Sequence, residues 1–196
     1  GREGYRVVER IEGFEREGLS AAAGQSLDAV VTAFKIRLGL IDGADQKHRP
    51  RDAMGAETGY VPQTARLLAG TVAENIRRFG PQDDVGVIEA AQRAGAHDVI
   101  LSLAQGYDTD VGDGGRRLSG GQQAAVSLAR ALYGDPALLI LDEPFAHVDA
   151  AGEAATFNAV QQARARGKTV VLVVHRPSHL ANADYIAVLS KGRLVR

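Results

Sequence analysis

The chain has 196 residues, 45% of them apolar, which is enough for one ordinary globular core and too few for two. Its 23 basic and 24 acidic side chains leave a formal net charge of -1, so no global field draws it to nucleic acid or to an anionic bilayer. Cysteine is absent, which excludes a disulfide framework and thiolate metal sites and fits a reducing cytosol. The longest apolar runs, 137–141 and 170–174, fall far below the roughly 20 residues that cross a bilayer as a helix. The first residue is Gly1 and no signal-peptide pattern follows, so the sequence reads as a fragment or excised domain whose membrane part lies elsewhere.

Up to residue 40 the periodicity is weak and the punctuation poor; from Ile41 onward helix and strand signals alternate. Residues 58–61 predict a short strand closed by Pro62. Thr71 with Glu74 forms a capping box, which predicts a helix reaching Arg78 and stopped by Gly80-Pro81. Helices are expected over 85–94 and 97–104, and the glycine-rich stretch 106–115 is expected to be irregular. Ser119 with Gln122 forms a second capping box. Ala125, Leu128, Ala129 and Leu132 share one face of the helix it opens, and Gly134 with Pro136 ends that helix. The run 137–141 predicts a strand buried on both faces. A helix over 150–166, stopped by Gly167, and a second buried strand over 169–174 complete a βαβ unit. A right-handed crossover would set these strands parallel, with both carboxyl ends on the sheet edge where ligands of open α/β sheets bind.

The chemistry gathers at such ends. The first of these strands runs into Asp142 and Glu143, and the second into His175. A carboxylate directly after a buried strand can hold Mg²⁺, and its neighbour can orient or deprotonate a water. An imidazole there can contact a terminal phosphate, although a lone histidine at a strand end is more often plain surface. Leu118-Ser119-Gly120-Gly121-Gln122 opens a helix with two glycines, exposing backbone N–H groups at the positive end of the helix dipole. Simple capping is the better explanation of that pentapeptide taken alone, until its place ahead of Asp142 is considered.

These segments in this order resemble the ABC ATPase family. Leu118 to Gln122 resembles its signature motif, and the stretch LLILDEP at 138–144 its Walker B strand. The resemblance covers about residues 41–196 and implies a P-loop NTPase fold: a three-layer α/β core with a mainly parallel sheet, an incomplete N-terminal part over about 1–40, an inserted helical subdomain over about 64–134, and core again over about 135–196. It implies ATP and Mg²⁺ as ligands, with Asp142 on Mg²⁺, Glu143 as catalytic base, Asp149 as the D-loop aspartate, His175 as the switch histidine and Gln63 as the Q-loop glutamine near Mg²⁺. Ser119, Gly120, Gly121 and Gln122 would face the nucleotide of a second nucleotide-binding domain in a head-to-tail dimer. Two further segments are similar to exporters: Gly70-Thr71-Val72-Ala73-Glu74-Asn75-Ile76 after the Q-loop, and the X-loop-like stretch 108–115, which implies a transmembrane partner at the cytoplasmic side of a bacterial inner membrane. The wording around Gly106-Tyr107-Asp108-Thr109 is most similar to type I secretion exporters.

The pattern breaks upstream. The family needs G-x-x-x-x-G-K-[ST], whose glycine N–H groups wrap the phosphates while the lysine offsets their charge. None of the lysines Lys35, Lys47, Lys168 and Lys191 stands in that string, and Gly167-Lys168-Thr169 precedes a strand instead of following one. The best-placed remnant is Gly24-Gln25-Ser26, which makes Gly24 and Ser26 candidate nucleotide contacts and leaves a neutral amide where the ammonium belongs. Three readings follow: an exporter ATPase domain, a noncatalytic subunit lending its signature to a competent partner, and an ABC-type DNA-repair ATPase, against which the X-loop-like segment and the lack of heptads weigh. Nucleic acid is not expected as a partner.

Overall fold

The computed structural model describes residues 5–8, 57–64, 66–146, 148–180, 183–184, 186–190 and 193–194. In chain order the strands are β1 (Tyr5–Val8), β2 (Thr58–Val61), β3 (Leu138–Asp142), β4 (Thr169–Val174), β5 (Ile186–Ser190) and β6 (Arg193–Leu194). The α-helices are α1 (Val72–Ile76), α2 (Asp84–Arg93), α3 (His97–Leu101), α4 (Gly120–Leu132) and α5 (Ala150–Ala165). The described residues form two compact units, one within 55–170 and one that joins 5–8 to 171–194.

In the first unit β2 and β3 pair in parallel, with Gly59 opposite Leu139 and Val61 opposite Leu141. All five positions of β3 are buried, as its unbroken apolar run requires. The N–H of Thr169 donates to the carbonyl of Ala137 at 3.0 Å, so β4 starts beside the start of β3. Gly59 is dictated by a close approach: a Cβ there would run into the carbonyl oxygen of Ala131 in the last turn of α4. Helix α4 touches α1, α2, α3, α5 and β2, so its second half buries Val126, Ser127, Leu128, Ala129, Ala131 and Leu132, more than the single stripe expected from periodicity. Ala125, expected on that stripe, is only half-buried.

Helix ends decide several boundaries. Helices α2 and α5 close in the same way: Gly95 (φ 64°) and Gly167 (φ 75°) take the left-handed position, and the N–H of the next residue bonds back to the carbonyl of Ala91 and Ala163, respectively. Helix α1 closes identically, Phe79 N–H to Glu74 at 2.9 Å and Arg78 N–H to Asn75 at 3.2 Å, but its left-handed residue is Arg78 (φ 56°), followed by Phe79 (φ 58°). That conformation costs a non-glycine residue about 1–2 kcal/mol. The helix expected to reach Arg78 therefore stops at Ile76, and α3 stops at Leu101 rather than 104. The glycine-rich 106–115 holds two single 3₁₀ turns, Gly106–Asp108 and Asp113–Gly115.

In the second unit β1 lies between two antiparallel neighbours, Tyr5 opposite Val174 on β4 and opposite Val188 on β5, and β5 turns back into β6. Five of the six positions of β4 are buried.

Candidate functional site

Four element ends of the first unit open on one cleft of about 280 Å³, lined among others by Gln63, Ser119, Gly121, Gln122, Glu143 and Asp149. Gln63 arrives two residues after β2, which is why a short parallel strand ending in Val61-Pro62 places it there. Ser119 is the cap of α4: its hydroxyl accepts from the Gln122 N–H at 3.3 Å, and its own N–H donates to the Gln122 side chain at 2.9 Å. A Cβ on Gly121 would meet nothing within 4 Å, so the backbone of this first turn stands open to a ligand.

Glu143 follows β3 with φ 50°, a left-handed backbone that glutamate rarely adopts and that turns its side chain toward the cleft wall. The Ala146 N–H bonds to its carbonyl at 2.9 Å, and Phe145 stacks on Phe157 of α5 with ring centroids 4.7 Å apart, which holds the turn against the helix. Asp149 caps α5, its carboxylate accepting from the Gly152 N–H at 2.8 Å. Asp142 is 3% exposed at the end of β3 and does not line the cleft. Gly120 is exposed in the first turn of α4 and is likewise not part of the lining. His175 is exposed directly after β4, in the second unit. Gly24 and Ser26 lie outside the described residues.

Among the described residues no group of three or more His, Asp or Glu side chains gathers as a metal cage. Lys168 is committed elsewhere: its ammonium meets the Asp135 carboxylate at 2.8 Å and the Asp135 carbonyl at 3.0 Å. Arg93 and Arg166 reach the same carboxylate at 3.0 and 3.1 Å. The hydrogen bond from Lys168 lowers the Asp135 pKa most, burial opposes it, and the charges of Arg166, Lys168 and Arg93 lower it further.

The two segments that resemble exporters meet each other. Val111 N–H donates to Gly70 at 2.9 Å and Val72 N–H to Thr109 at 3.0 Å, so Thr71 and Asp110 form an antiparallel bridge. Asn75, fully buried, holds this join from below: its amide donates to the carbonyls of Leu68 and Thr71 at 2.9 and 3.0 Å and accepts from the Leu68 N–H at 2.9 Å. On the other side, Asp110 accepts from the Gly112 N–H at 2.7 Å and pairs with Arg117 at 2.6 Å. The Arg78 guanidinium donates to the carbonyls of Arg130, Ala131 and Tyr133 at the end of α4. Neither Asn75 nor Arg78 carries a sequence signal of these contacts, because both sit inside or beside a capping box that accounts for the helix without them.

The ABC transporter family profile matches residues 26–146, well over half of the chain. The chain belongs to the ABC transporter family. As a member of that family it has the α/β P-loop NTPase fold, and over its full length it is similar to a bacterial Atm1-family ABC exporter solved with ATP bound, at a TM-score of 0.74 and 29% identity, covering 38% of that structure's chain. It is 47% identical over 155 residues to the type I secretion system ATP-binding protein PrsD of Rhizobium meliloti, 79% of this chain and 27% of PrsD. It is 43% identical over 157 residues to the mitochondrial potassium channel ATP-binding subunit of Xenopus tropicalis and 41% over 158 residues to ABC transporter B family member 15 of Arabidopsis thaliana. Each match takes in 79% of this ABC family chain, which spans about a quarter or less of those relatives' lengths.

Proposed function

We propose that this chain is the nucleotide-binding domain of an ABC exporter that couples ATP binding and hydrolysis to transmembrane export, in the type I protein secretion class of its relative PrsD. Its partners are a transmembrane domain and a second nucleotide-binding domain, arranged head to tail at the cytoplasmic side of a bacterial inner membrane. Where a phosphate loop holds the nucleotide, Asp142 and Gln63 would serve Mg²⁺, Glu143 would take a proton from the attacking water, and His175 would contact the terminal phosphate. Bound Mg²⁺ supplies charge neutralisation on the phosphate oxygens. Ser119, Gly120, Gly121 and Gln122 offer the open end of α4 to the neighbour's nucleotide, with Asp149 beside them.

The observation that carries this reading is the single cleft that unites the capped, glycine-lined start of α4 with Gln63, Glu143 and Asp149. The sequence has no G-x-x-x-x-G-K-[ST], and Lys168 is occupied by Asp135, so the chain lends its signature to a neighbour whose phosphate loop is intact. The test is a mixed dimer with a loop-intact homologue whose own signature serine is replaced by arginine, leaving this chain's Ser119 as the one competent signature. ATP hydrolysis should appear on mixing and vanish with Ser119→Arg, a bulky cation at the helix terminus. Hydrolysis that is absent, or indifferent to Ser119→Arg, rejects the reading.

A further inference from the structure

Three helices of the first unit end in the same hydrogen-bond pattern with a left-handed residue, and two of them place glycine there, Gly95 and Gly167. The third places Arg78, where glycine would relieve the backbone. The side chain makes use of that strained position: its Nε donates to Arg130 at 3.1 Å, and its Nη2 to Ala131 at 3.3 Å and Tyr133 at 3.4 Å. These are carbonyls at the negative end of α4, which a cation stabilises. Ala131 is also the carbonyl against which Gly59 of β2 is pressed. Burial lowers the Arg78 pKa, with Tyr133 opposing, and the guanidinium stays charged there.

Helix α4 has 13 residues and spans about 20 Å, with Ser119 at the cleft and the Arg78 clamp at the opposite end. From the strained arginine and its carbonyl partners, we infer that Arg78 is a positioning residue for the signature, fixing the direction of α4 and through it the place of Ser119 at the partner's nucleotide. The inference rests on the proposal that Ser119 serves a neighbour. A rigid helix pivoting near its middle passes a 1 Å shift at the clamp to about 1 Å at Ser119, and misplacements of that size cost about a hundredfold in rate. Burial of the second half of α4 restrains part of the movement, so a loss of roughly tenfold is expected for removing the clamp.

Arg78→Gly separates the two roles, because it deletes the guanidinium while supplying the residue that the backbone prefers. In the mixed dimer described above, Arg78→Gly should lower kcat about tenfold or more, with KM for MgATP changed less than about threefold, since the signature acts on the closed complex. The thermal midpoint of the full chain should stay near wild type, and Arg78→Lys should recover part of kcat, as an ammonium reaches the carbonyls without the planar fork. Asp135→Asn serves as a control that lowers stability by weakening the ion pairs with Arg93, Arg166 and Lys168, while the Asp135 N–H keeps its bond to the Leu132 carbonyl at the end of α4. Full kcat in Arg78→Gly, or a kcat that merely tracks the midpoint across all three variants, overturns the inference. A mixed dimer abolished by Ser119→Arg yet indifferent to Arg78→Gly overturns it alone, whereas one insensitive to Ser119→Arg removes the functional reading and the inference with it.

Discussion

Asn75 offers a sharp test because the side chain is fully buried and makes three hydrogen bonds, all to the segment 68–71. Each such bond is worth about 1 kcal/mol net, so Asn75→Ala removes about 3 kcal/mol before compensation. Leu68 is 61% exposed, which lets water reach part of what is lost and brings the expected cost to about 2–3 kcal/mol. For a chain of this length that corresponds to a fall of roughly 5–10 °C in Tm. Asn75→Asp keeps the shape but not the chemistry. It retains an acceptor for the Leu68 N–H while turning carboxylate oxygens toward the Leu68 and Thr71 carbonyls, and a buried unpaired charge costs about 3–5 kcal/mol. The isosteric change should therefore be the worse of the two at pH 7, and the gap should narrow in acid as the carboxyl takes up a proton. Urea unfolding with an unchanged m-value measures both, and amide exchange should quicken at Val72 and Val111, whose bonds to Thr109 and Gly70 lose their support. A cost under about 0.5 kcal/mol for Asn75→Ala, or equal tolerance of Asp and Ala at pH 7, would refute the proposed bonding.

The isolated chain should show no micromolar MgATP binding by calorimetry, since no lysine stands in a phosphate-loop string; a tight isotherm would show that another segment supplies the cradle. Replacing residues 18–40 with a full loop, its helix and a return strand should yield hydrolysis that rises more than linearly with protein concentration and is lost in Glu143→Gln; a graft that folds and binds ATP without hydrolysing it counts against the roles given to Asp142, Glu143 and His175. Gly59→Ala must push β2 off the Ala131 carbonyl and should cost about 1–3 kcal/mol in urea unfolding, and a neutral result would deny that contact. Asp135 has a lowered folded pKa, so its contribution is present above the unfolded value of about 3.9 and is lost as pH falls through the folded pKa. At 45% side-chain exposure that contribution is about 1 kcal/mol at most, and the Asp135→Asn deficit at pH 7 should shrink in acid rather than grow.

What the sequence made legible is what short-range chemistry determines. Strands β2 and β4 fall where apolar runs and their punctuation put them, and α4 and α1 begin at capping boxes whose two bonds are both present. Ser119 and Glu143 were readable as element ends, Gln63 and Asp149 only through the resemblance to the ABC ATPase family, and all four line the cleft. The rest depends on partners far along the chain. Arg78 stops α1 early for carbonyls more than 50 positions away, Gly59 is required by α4, and Asp135 collects Arg93, Arg166 and Lys168 from separate elements. Strands β1, β5 and β6 went unforeseen for the same reason. A four-residue run such as Tyr5–Val8 has no strand signature apart from the neighbours it pairs with, and those stand at 171–174 and 186–188.

The half of a nucleotide site proposed for this chain is also the half that needs least from upstream sequence. A signature presents backbone N–H groups at a helix start, and that arrangement requires only a cap and a helix held in place. Ser119 and Gln122 provide the cap, while Gly59, Arg78 and the buried second half of α4 provide the hold, with every one of these residues inside 57–132. A phosphate loop is different in kind, because it needs a nest of consecutive N–H groups and an ammonium at one spot, and no other residue type supplies that charge in the same geometry. On the proposed reading, a chain without the loop's sequence binds no triphosphate of its own, and none of the bonds named above that hold α4 and cap it at Ser119 depends on that loop. In the proposed head-to-tail dimer the two halves belong to different chains at each nucleotide, so such a chain would still complete its neighbour's site. For the same reason a repair confined to the residues before Ile41 leaves the cleft, the clamp on α4 and the join between 70–72 and 109–111 as they stand.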